Sequence, residues 1–128
     1  MAYYFSKTLH TSFEEAVTKV SEELKKEGFG VLTDIDVQAT LKKKLNVDFR
    51  KYRILGACHP QFAYAALLAE DKIGTMLPCN VIVQEHSEGS VEVAAIDPIA
   101  SMMAIDNPKL ADVAKQVQAK LKKVVESL

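Results

Sequence analysis

The sequence has no tryptophan, few glycines and prolines, and almost no excess charge of either sign. Its 128 residues include only five glycines and four prolines, which excludes low-complexity and fibrous proteins. Sixteen lysines and arginines face seventeen aspartates and glutamates, so the formal net charge is -1. Proteins that hold nucleic acid electrostatically carry a clear basic excess, and we therefore expect no nucleic-acid partner.

Long apolar runs and a secretory leader are also missing. No apolar run approaches the roughly 18 residues that cross a bilayer, so we expect no membrane segment. Residues 1–7 lack a basic stretch followed by an apolar one, and we expect no signal peptide. We therefore predict a cytoplasmic protein whose two cysteines, Cys58 and Cys79, are reduced. The length and a hydrophobic content of 48% fit a single domain, residues 1–128.

Two segments have the periodicity of long amphipathic helices. The first begins at Ser12 and Glu15, which stand in capping-box spacing, and ends before Gly28, which accepts a left-handed conformation. The second follows Asn107 and Pro108 at the end of the chain. Apolar residues spaced by three and four form one stripe on each helix: Phe13, Ala16, Val17, Val20 and Leu24 on the first, and Leu110, Val113, Ala114, Val117, Leu121, Val124, Val125 and Leu128 on the second.

Five segments rich in β-branched and aromatic residues predict strands. They are residues 2–10, 29–37, 52–58, 79–86 and 91–96. Shorter helices are predicted over 38–45 and from Pro60 to about Asp71, a turn at Gly89, and a loop over 99–105. In the helix after Pro60, Ala63, Ala66 and Leu67 form a face of small residues that could pack close to a sheet.

The resulting order is β-α-β-(α)-β-(α)-β-β-α. It predicts an α+β fold with an antiparallel sheet of about five strands and the two long helices on one face.

Several short motifs together resemble one protein family. They lie at residues 52–60, 63–68, 74–83 and 91–98, the third containing Leu77-Pro78-Cys79-Asn80. The set resembles the family known as domain of unknown function 302, and the resemblance extends over nearly the whole chain. It implies an antiparallel sheet with two long helices on one face, similar to the fold of the TATA-box-binding protein, but not DNA binding. It implies no activity, because the family has no firmly established one.

An antiparallel sheet would bring one set of reactive side chains to a single rim. Cys58 ends the third strand, Cys79 begins the fourth, and the turn at Gly89 returns the fifth strand so that Asp97 approaches Cys79. His59 adjoins Cys58. We therefore take Cys58, His59, Cys79 and Asp97 as candidate ligand-binding residues, possible neighbours being Met102 and Met103.

Three kinds of chemistry fit this rim. Cys58, His59 and Cys79 could hold a soft metal ion, since thiolates and imidazole suit Cu(I) and Zn²⁺. The thiols could instead act as a reversible dithiol or as a thiol activated by His59. The rim could also line a pocket for a small molecule. The competing interpretation is structural, with the cysteines in the core, His59 capping a helix and Asp97 shaping a turn.

We expect a binding module for a small molecule, a thiol or a soft metal rather than an enzyme. The sequence has no nucleotide-cofactor motif and leaves the cofactor open. One alternative is a homo-oligomeric interaction protein, such as a homodimer in which the partner copy covers the second face of the sheet. Another is a thiol-dependent enzyme, which would need a lowered thiol pKa at Cys58 or Cys79.

Overall fold

The computed structural model describes residues 2–128 and places five strands and five α-helices along the chain. The strands are β1 (Tyr4–Leu9), β2 (Gly30–Asp36), β3 (Tyr52–Cys58), β4 (Cys79–Ser87) and β5 (Ser90–Ile96). The helices are α1 (Phe13–Lys26), α2 (Val37–Leu45), α3 (Pro60–Ala69), α4 (Pro98–Ser101) and α5 (Leu110–Glu126). A 3-10 turn, Asp71–Met76, separates α3 from β4.

The five strands form one antiparallel sheet in the order β1-β5-β4-β3-β2. The α+β class, the five strands and the antiparallel arrangement confirm the prediction from sequence. Only β4 and β5 are joined by a tight hairpin, at Gly89, which has a positive φ of 76°. The other connections contain helices. The strand order places β1 and β2 at the two edges of the sheet.

The two long helices pack against one face of the sheet and form the main core with it. Inward-facing residues on β3, β4 and β5 alternate with residues of the opposite face, as the period of a strand requires. The core side chains are mostly aliphatic: Val20 and Leu24 on α1, Leu55, Val81, Val83, Val91 and Val93 on the strands, and Leu121 and Val124 on α5. This confirms the apolar stripes predicted for both helices.

The ends of α1 follow the predicted signals. The Ser12 hydroxyl accepts a hydrogen bond from the Glu15 N–H at 3.2 Å. At the other end, Gly28 has a φ of 88°, its N–H donates to the Lys25 carbonyl, and the Phe29 N–H donates to the Leu24 carbonyl. These two bonds form a Schellman motif, which turns the chain sharply into β2.

The segment between β5 and α5 differs from the prediction. Instead of a loop over 99–105, a short helix begins at Pro98 and ends at Ser101. Asp97 begins it, because its carboxylate accepts a hydrogen bond from the Ile99 N–H at 3.0 Å. The helix after Pro60 is also shorter than predicted, since the chain changes to the 3-10 turn after Ala69. Within residues 2–128, no helix combines the length and the apolar composition needed to cross a membrane.

Candidate functional site

A cavity of about 220 Å³ lies at the end of the sheet where β3 finishes and β4 starts. Its walls come from the sheet end, from α3 and from the first turns of α5. Most of the lining side chains are apolar: Phe29, Leu32, Ala57, Phe62, Ala63, Ala66, Leu77, Pro78, Pro98, Met102, Val113, Ala114 and Val117. Cys58, His59 and Cys79 complete the lining. Leu32 is 68% exposed, which marks the side of the cavity nearest the solvent.

The two cysteines lie on the wall because adjacent strands end there. Cys79 is the register partner of Ala57, which directly precedes Cys58. Cys58 is half-buried, Cys79 is buried, and both thiols are free. Burial, and to a smaller extent the neighbouring Cys58, raises the pKa of the Cys79 thiol to about 11. Cys79 is therefore a neutral thiol at physiological pH.

His59 is fixed between two aromatic rings and a glycine. Its ring centroid lies 4.3 Å from that of Phe62 on α3 and 5.4 Å from that of Phe29, which meets it edge-on. The third neighbour is Gly28, where a Cβ atom would come within 2.7 Å of the His59 Nε2. The Schellman motif of α1 thus supplies both the space at Gly28 and the ring of Phe29. Desolvation, together with the positive charge of Lys120, lowers the pKa of His59.

A second glycine, Gly56 on β3, lets two neighbouring side chains come close to the strand that ends at the cavity. At Gly56, a Cβ atom would lie 2.1 Å from the Thr33 Oγ1 and 2.7 Å from the Pro78 Cγ. Only glycine leaves room for Thr33 and Pro78 to approach the strand from two sides. Pro78, which lines the cavity, therefore lies directly against β3.

Three of the four candidate site residues come together, and the fourth does not line the cavity. Cys58, His59 and Cys79 share its wall. The Asp97 carboxylate instead caps α4 and accepts hydrogen bonds from the Gln118 Nε2 at 3.1 and 3.3 Å. These contacts tie the end of β5 to α5. Of the two methionines considered, Met102 lines the cavity and Met103 is 78% exposed.

The donor atoms at this rim do not form a metal site of three or more side chains. Among residues 2–128, no group of three or more His, Cys, Asp or Glu side chains has an arrangement that could hold a metal ion. Cys58, His59 and Cys79 therefore share a cavity wall without converging on one point.

Sequence reasoning missed the apolar majority of this site. The signal was present in the small residues Ala63 and Ala66, which we read as a face for close packing on the sheet. Instead, α3 packs mainly on the 3-10 turn and α5. The cavity occupies the space between α3 and the sheet end, where Ala57 also has a small side chain.

Comparison with known proteins identifies the family. Residues 5–128 match the family model described as Domain of unknown function DUF302. The chain belongs to the DUF302 family. Its structure is similar to the crystal structure of an uncharacterized conserved DUF302 protein from Bacillus stearothermophilus, with a TM-score of 0.89 and 27% sequence identity over 98% of each chain. No curated protein matches the chain.

Membership of the DUF302 family confirms the resemblance read from the sequence. The similarity covers the elements that build the cavity, since it extends over almost the whole of both chains. Because the DUF302 relative is itself uncharacterized, the comparison establishes the fold and leaves function to be argued from the site.

Proposed function

We propose that this DUF302 protein binds a small, largely apolar molecule in the cavity at the end of its sheet. The observation that carries the proposal is the cavity itself, a concave apolar space whose walls include two thiols and one imidazole. Ligand sites are typically of this kind, mostly apolar with few polar groups. We place the protein in the cytoplasm, where free thiols such as Cys58 and Cys79 stay reduced.

The size of the cavity limits the ligand. An apolar cavity of about 150 Å³ is large enough to bind benzene or xenon. A volume of about 220 Å³ therefore suits a molecule of the size of one or two fused rings. We propose that such a molecule enters past Leu32, the exposed hydrophobic side chain at the edge of the cavity.

The chemistry of the wall favours binding over catalysis by a thiol. A nucleophilic cysteine needs a lowered pKa so that thiolate is present at neutral pH. Burial shifts the pKa of Cys79 in the opposite direction, to about 11. We therefore favour a small-molecule site over a thiol-dependent enzyme, and over a metal site because three ligands do not converge among residues 2–128.

Nuclear magnetic resonance titration with benzene and with indole tests this function. We expect saturable shifts confined to resonances of the cavity wall, such as the methyl groups of Ala57, Ala66 and Val113. Ala63→Leu should abolish them, because Ala63 lines the cavity and the added carbons fill it. Ala65→Leu is the matched control, since Ala65 is exposed on the same helix. Absence of saturable shifts with both probes in the wild-type protein would rule the proposal out.

Thiol labelling provides a second measurement on the same site. Half-buried Cys58 should react with a maleimide in the folded protein, and buried Cys79 only after unfolding. Saturating indole should slow the reaction of Cys58, because both occupy one cavity. Equal labelling of Cys58 with and without indole would count against occupancy beside that thiol.

A second candidate function is self-association through the uncovered face of the sheet. Tyr4, Tyr52, Ile54, Ile82 and Ile96 lie on that face, and none of them is fully buried. A second copy is the occupant we propose, since Glu92 on this face already has hydrogen-bond partners within the chain. The Glu92 carboxylate contacts the His86 Nε2 at 2.9 Å and accepts from the Gln84 Nε2 at 3.1 Å. Two copies can thus meet without either one having to supply a partner for Glu92.

Light scattering tests the second candidate. The wild-type protein should have the mass of a dimer, and Ile82→Lys should have that of a monomer, because it places a charge at the centre of the apolar face. Thr18→Lys, on the exposed side of α1, should remain dimeric. A monomeric wild-type protein at high concentration would exclude self-association.

A further inference from the structure

A second cavity adjoins the one described above, which we now call the sheet-end cavity. The second cavity also has a volume of about 220 Å³, and it lies beside α4, the turn that follows α4 and the first turns of α5. Its apolar wall includes Ile99, Ile105, Leu110 and Ala111. Met102 and Ala114 line both cavities, so the two spaces lie on either side of these side chains.

Helix α5 forms a wall that is common to both cavities. Leu110 and Ala111 face the second cavity, Val113 and Val117 face the sheet-end cavity, and Ala114 lies between them. The side chain of Ala114 is a single methyl group and narrows the passage little. Met102 is the larger of the two shared side chains, and it is therefore the main barrier between the cavities.

The backbone of Met102 is held on both sides, whereas its side chain can move. The Met102 N–H donates a hydrogen bond to the Pro98 carbonyl at 3.1 Å, and the Met102 carbonyl accepts one from the Ile105 N–H at 3.0 Å. The side chain is half-buried. Methionine is unbranched, has three rotatable side-chain bonds and adapts to irregular spaces. A ligand can therefore displace this side chain without moving the backbone.

The charge around the two cavities has one sign. Among the described residues that line them, none is an aspartate or a glutamate, and Lys115, beside the second cavity, is the only lysine or arginine. Lys115 is exposed and makes no ion pair within residues 2–128. Asn107, also beside the second cavity, already donates a hydrogen bond to the Ala69 carbonyl at 2.8 Å. An anionic group can pair with Lys115 while it stays in contact with water, which avoids the cost of burying a charge.

We propose that the ligand is an unbranched aliphatic chain with an anionic end, which displaces the Met102 side chain and occupies both cavities. The tail of the chain fills the sheet-end cavity, and the anionic end pairs with Lys115. This inference rests on the proposed function, because it assigns a ligand class to the same cavity. Such a chain enters tail first beside Lys115, whereas a compact molecule such as benzene enters past Leu32.

Saturated carboxylates of six to twelve carbons test the length of the site in the wild-type protein. An apolar cavity of about 150 Å³ holds benzene, so the sheet-end cavity holds roughly nine carbon atoms. We expect the dissociation constant to fall by about two- to fourfold with each methylene from nine to twelve carbons, because the second cavity removes these groups from water. A dissociation constant that stops falling at about nine carbons would overturn the proposal.

Met102→Ile distinguishes passage between the cavities from adsorption to the protein surface. Isoleucine is apolar and similar in size, but it is branched at Cβ and stiff at χ1. The ratio of the dissociation constants for nine and twelve carbons should therefore fall towards one in this variant. Met76→Ile is the matched control, since Met76 lines neither cavity, and it should keep the wild-type ratio. The same ratio in Met102→Ile and in wild type would show that Met102 does not separate the cavities.

Lys115→Met tests the anionic end of the ligand. The ratio of the dissociation constants of decan-1-ol and decanoate should fall by about two- to fivefold, the range that an exposed ion pair supports. Lys122→Met is the matched control, because Lys122 is exposed on the same helix and lines neither cavity. An unchanged ratio in Lys115→Met would overturn the pairing with Lys115.

Indole separates failure of this inference from failure of the proposed function. If indole binds to the wild-type protein and the carboxylates do not, the chain-like ligand is wrong and the function of the sheet-end cavity remains. If neither indole nor any carboxylate binds, the function of the cavity fails, and the assignment of its ligand fails with it.

Discussion

The core beneath the two long helices is filled at one end and open at the other. At the filled end, hereafter the packed region, Val83, Val93, Leu121 and Val124 have no exposed surface. At the other end, the cavity region, Ala57, Ala63, Ala66, Cys79 and Ala114 surround the space of about 220 Å³. Both regions share one sheet and one helix, since α5 lines the cavity with Val113 and enters the packed region about two turns later at Leu121.

Side-chain volume and the position of α3 together explain this contrast. Valine and leucine fill the layer between sheet and helices in the packed region, as close packing of protein interiors requires. Alanine and cysteine replace them at the sheet end, and α3 packs on the 3-10 turn and α5 instead of closing the gap. The packed region therefore holds the fold together, whereas the cavity region leaves space for the ligand that we propose.

The largest difference that we predict between the two regions is the loss of stability when a large side chain is truncated. Leu121→Ala removes a side chain with no exposed surface and leaves a void in the packed region, so it should lower the free energy of unfolding by about 2–5 kcal/mol. Met102→Ala removes a half-buried side chain that already borders open space, and should cost less than about 2 kcal/mol. Urea denaturation of both variants measures the difference. Equal losses would mean that the cavity region is as tightly packed in solution as the packed region.

Two glycines with positive φ, one beside the cavity and one in the β4–β5 hairpin, extend the comparison to the backbone. Gly28 and Gly89 both have positive φ, of 88° and 76°. Alanine in this conformation costs roughly 1–2 kcal/mol at either position. Nothing lies within 4 Å of a Cβ at Gly89, whereas a Cβ at Gly28 meets the His59 ring. Gly28→Ala should therefore cost about 1 kcal/mol more than Gly89→Ala.

A double-mutant cycle with His59→Ala isolates the contact between Gly28 and the imidazole. The additional cost of Gly28→Ala should disappear when the ring is absent, because only the strain of the backbone then remains. Thermal or urea denaturation of the four proteins measures the coupling. An unchanged cost in the absence of the ring would show that Gly28 matters for its left-handed conformation alone.

Local signals in the sequence predicted most of the fold. Ser12 and Gly28 mark the ends of α1 through hydrogen bonds within a few residues, and the stripes on α1 and α5 follow from spacing. Such features depend on neighbours in the chain, so the sequence alone reveals them. The helix α4 was missed because only four residues form it, too few for a periodic pattern to be visible.

The cavity could be predicted only in part. The meeting of Cys58, His59 and Cys79 followed from strand order, since antiparallel neighbours end at the same rim. The position of Asp97 did not follow, because its hydrogen bonds to Gln118 join segments that are distant in sequence. The empty space itself depends on where α3 lies relative to the sheet. A small residue such as Ala63 is equally compatible with tight packing and with a void, so composition cannot distinguish them.

The smallest effect we predict is the pH dependence that His59 gives to stability. Its pKa in the folded protein lies below the ordinary value of 6.5, chiefly because of desolvation and also because of Lys120 on α5. The unfolded chain therefore binds a proton more readily, and stability falls as the pH drops below about 6.5. Above that pH the contribution of neutral His59 to the stability of the folded protein is fully present. Since the ring is only partly buried, we expect a modest change.

The difference in unfolding free energy between wild type and His59→Phe isolates this contribution, because other groups titrate equally in both proteins. The unfolding free energy of wild type minus that of His59→Phe should be constant from pH 8 to 7. It should decrease as the pH falls from about 6.5 to 5. Denaturant unfolding at fixed ionic strength measures it. His10→Phe is the matched control, because it makes the same substitution at an exposed histidine outside the cavity. A difference that stays constant for His59→Phe would mean that the cavity region is hydrated around His59, which would weaken its contrast with the packed region.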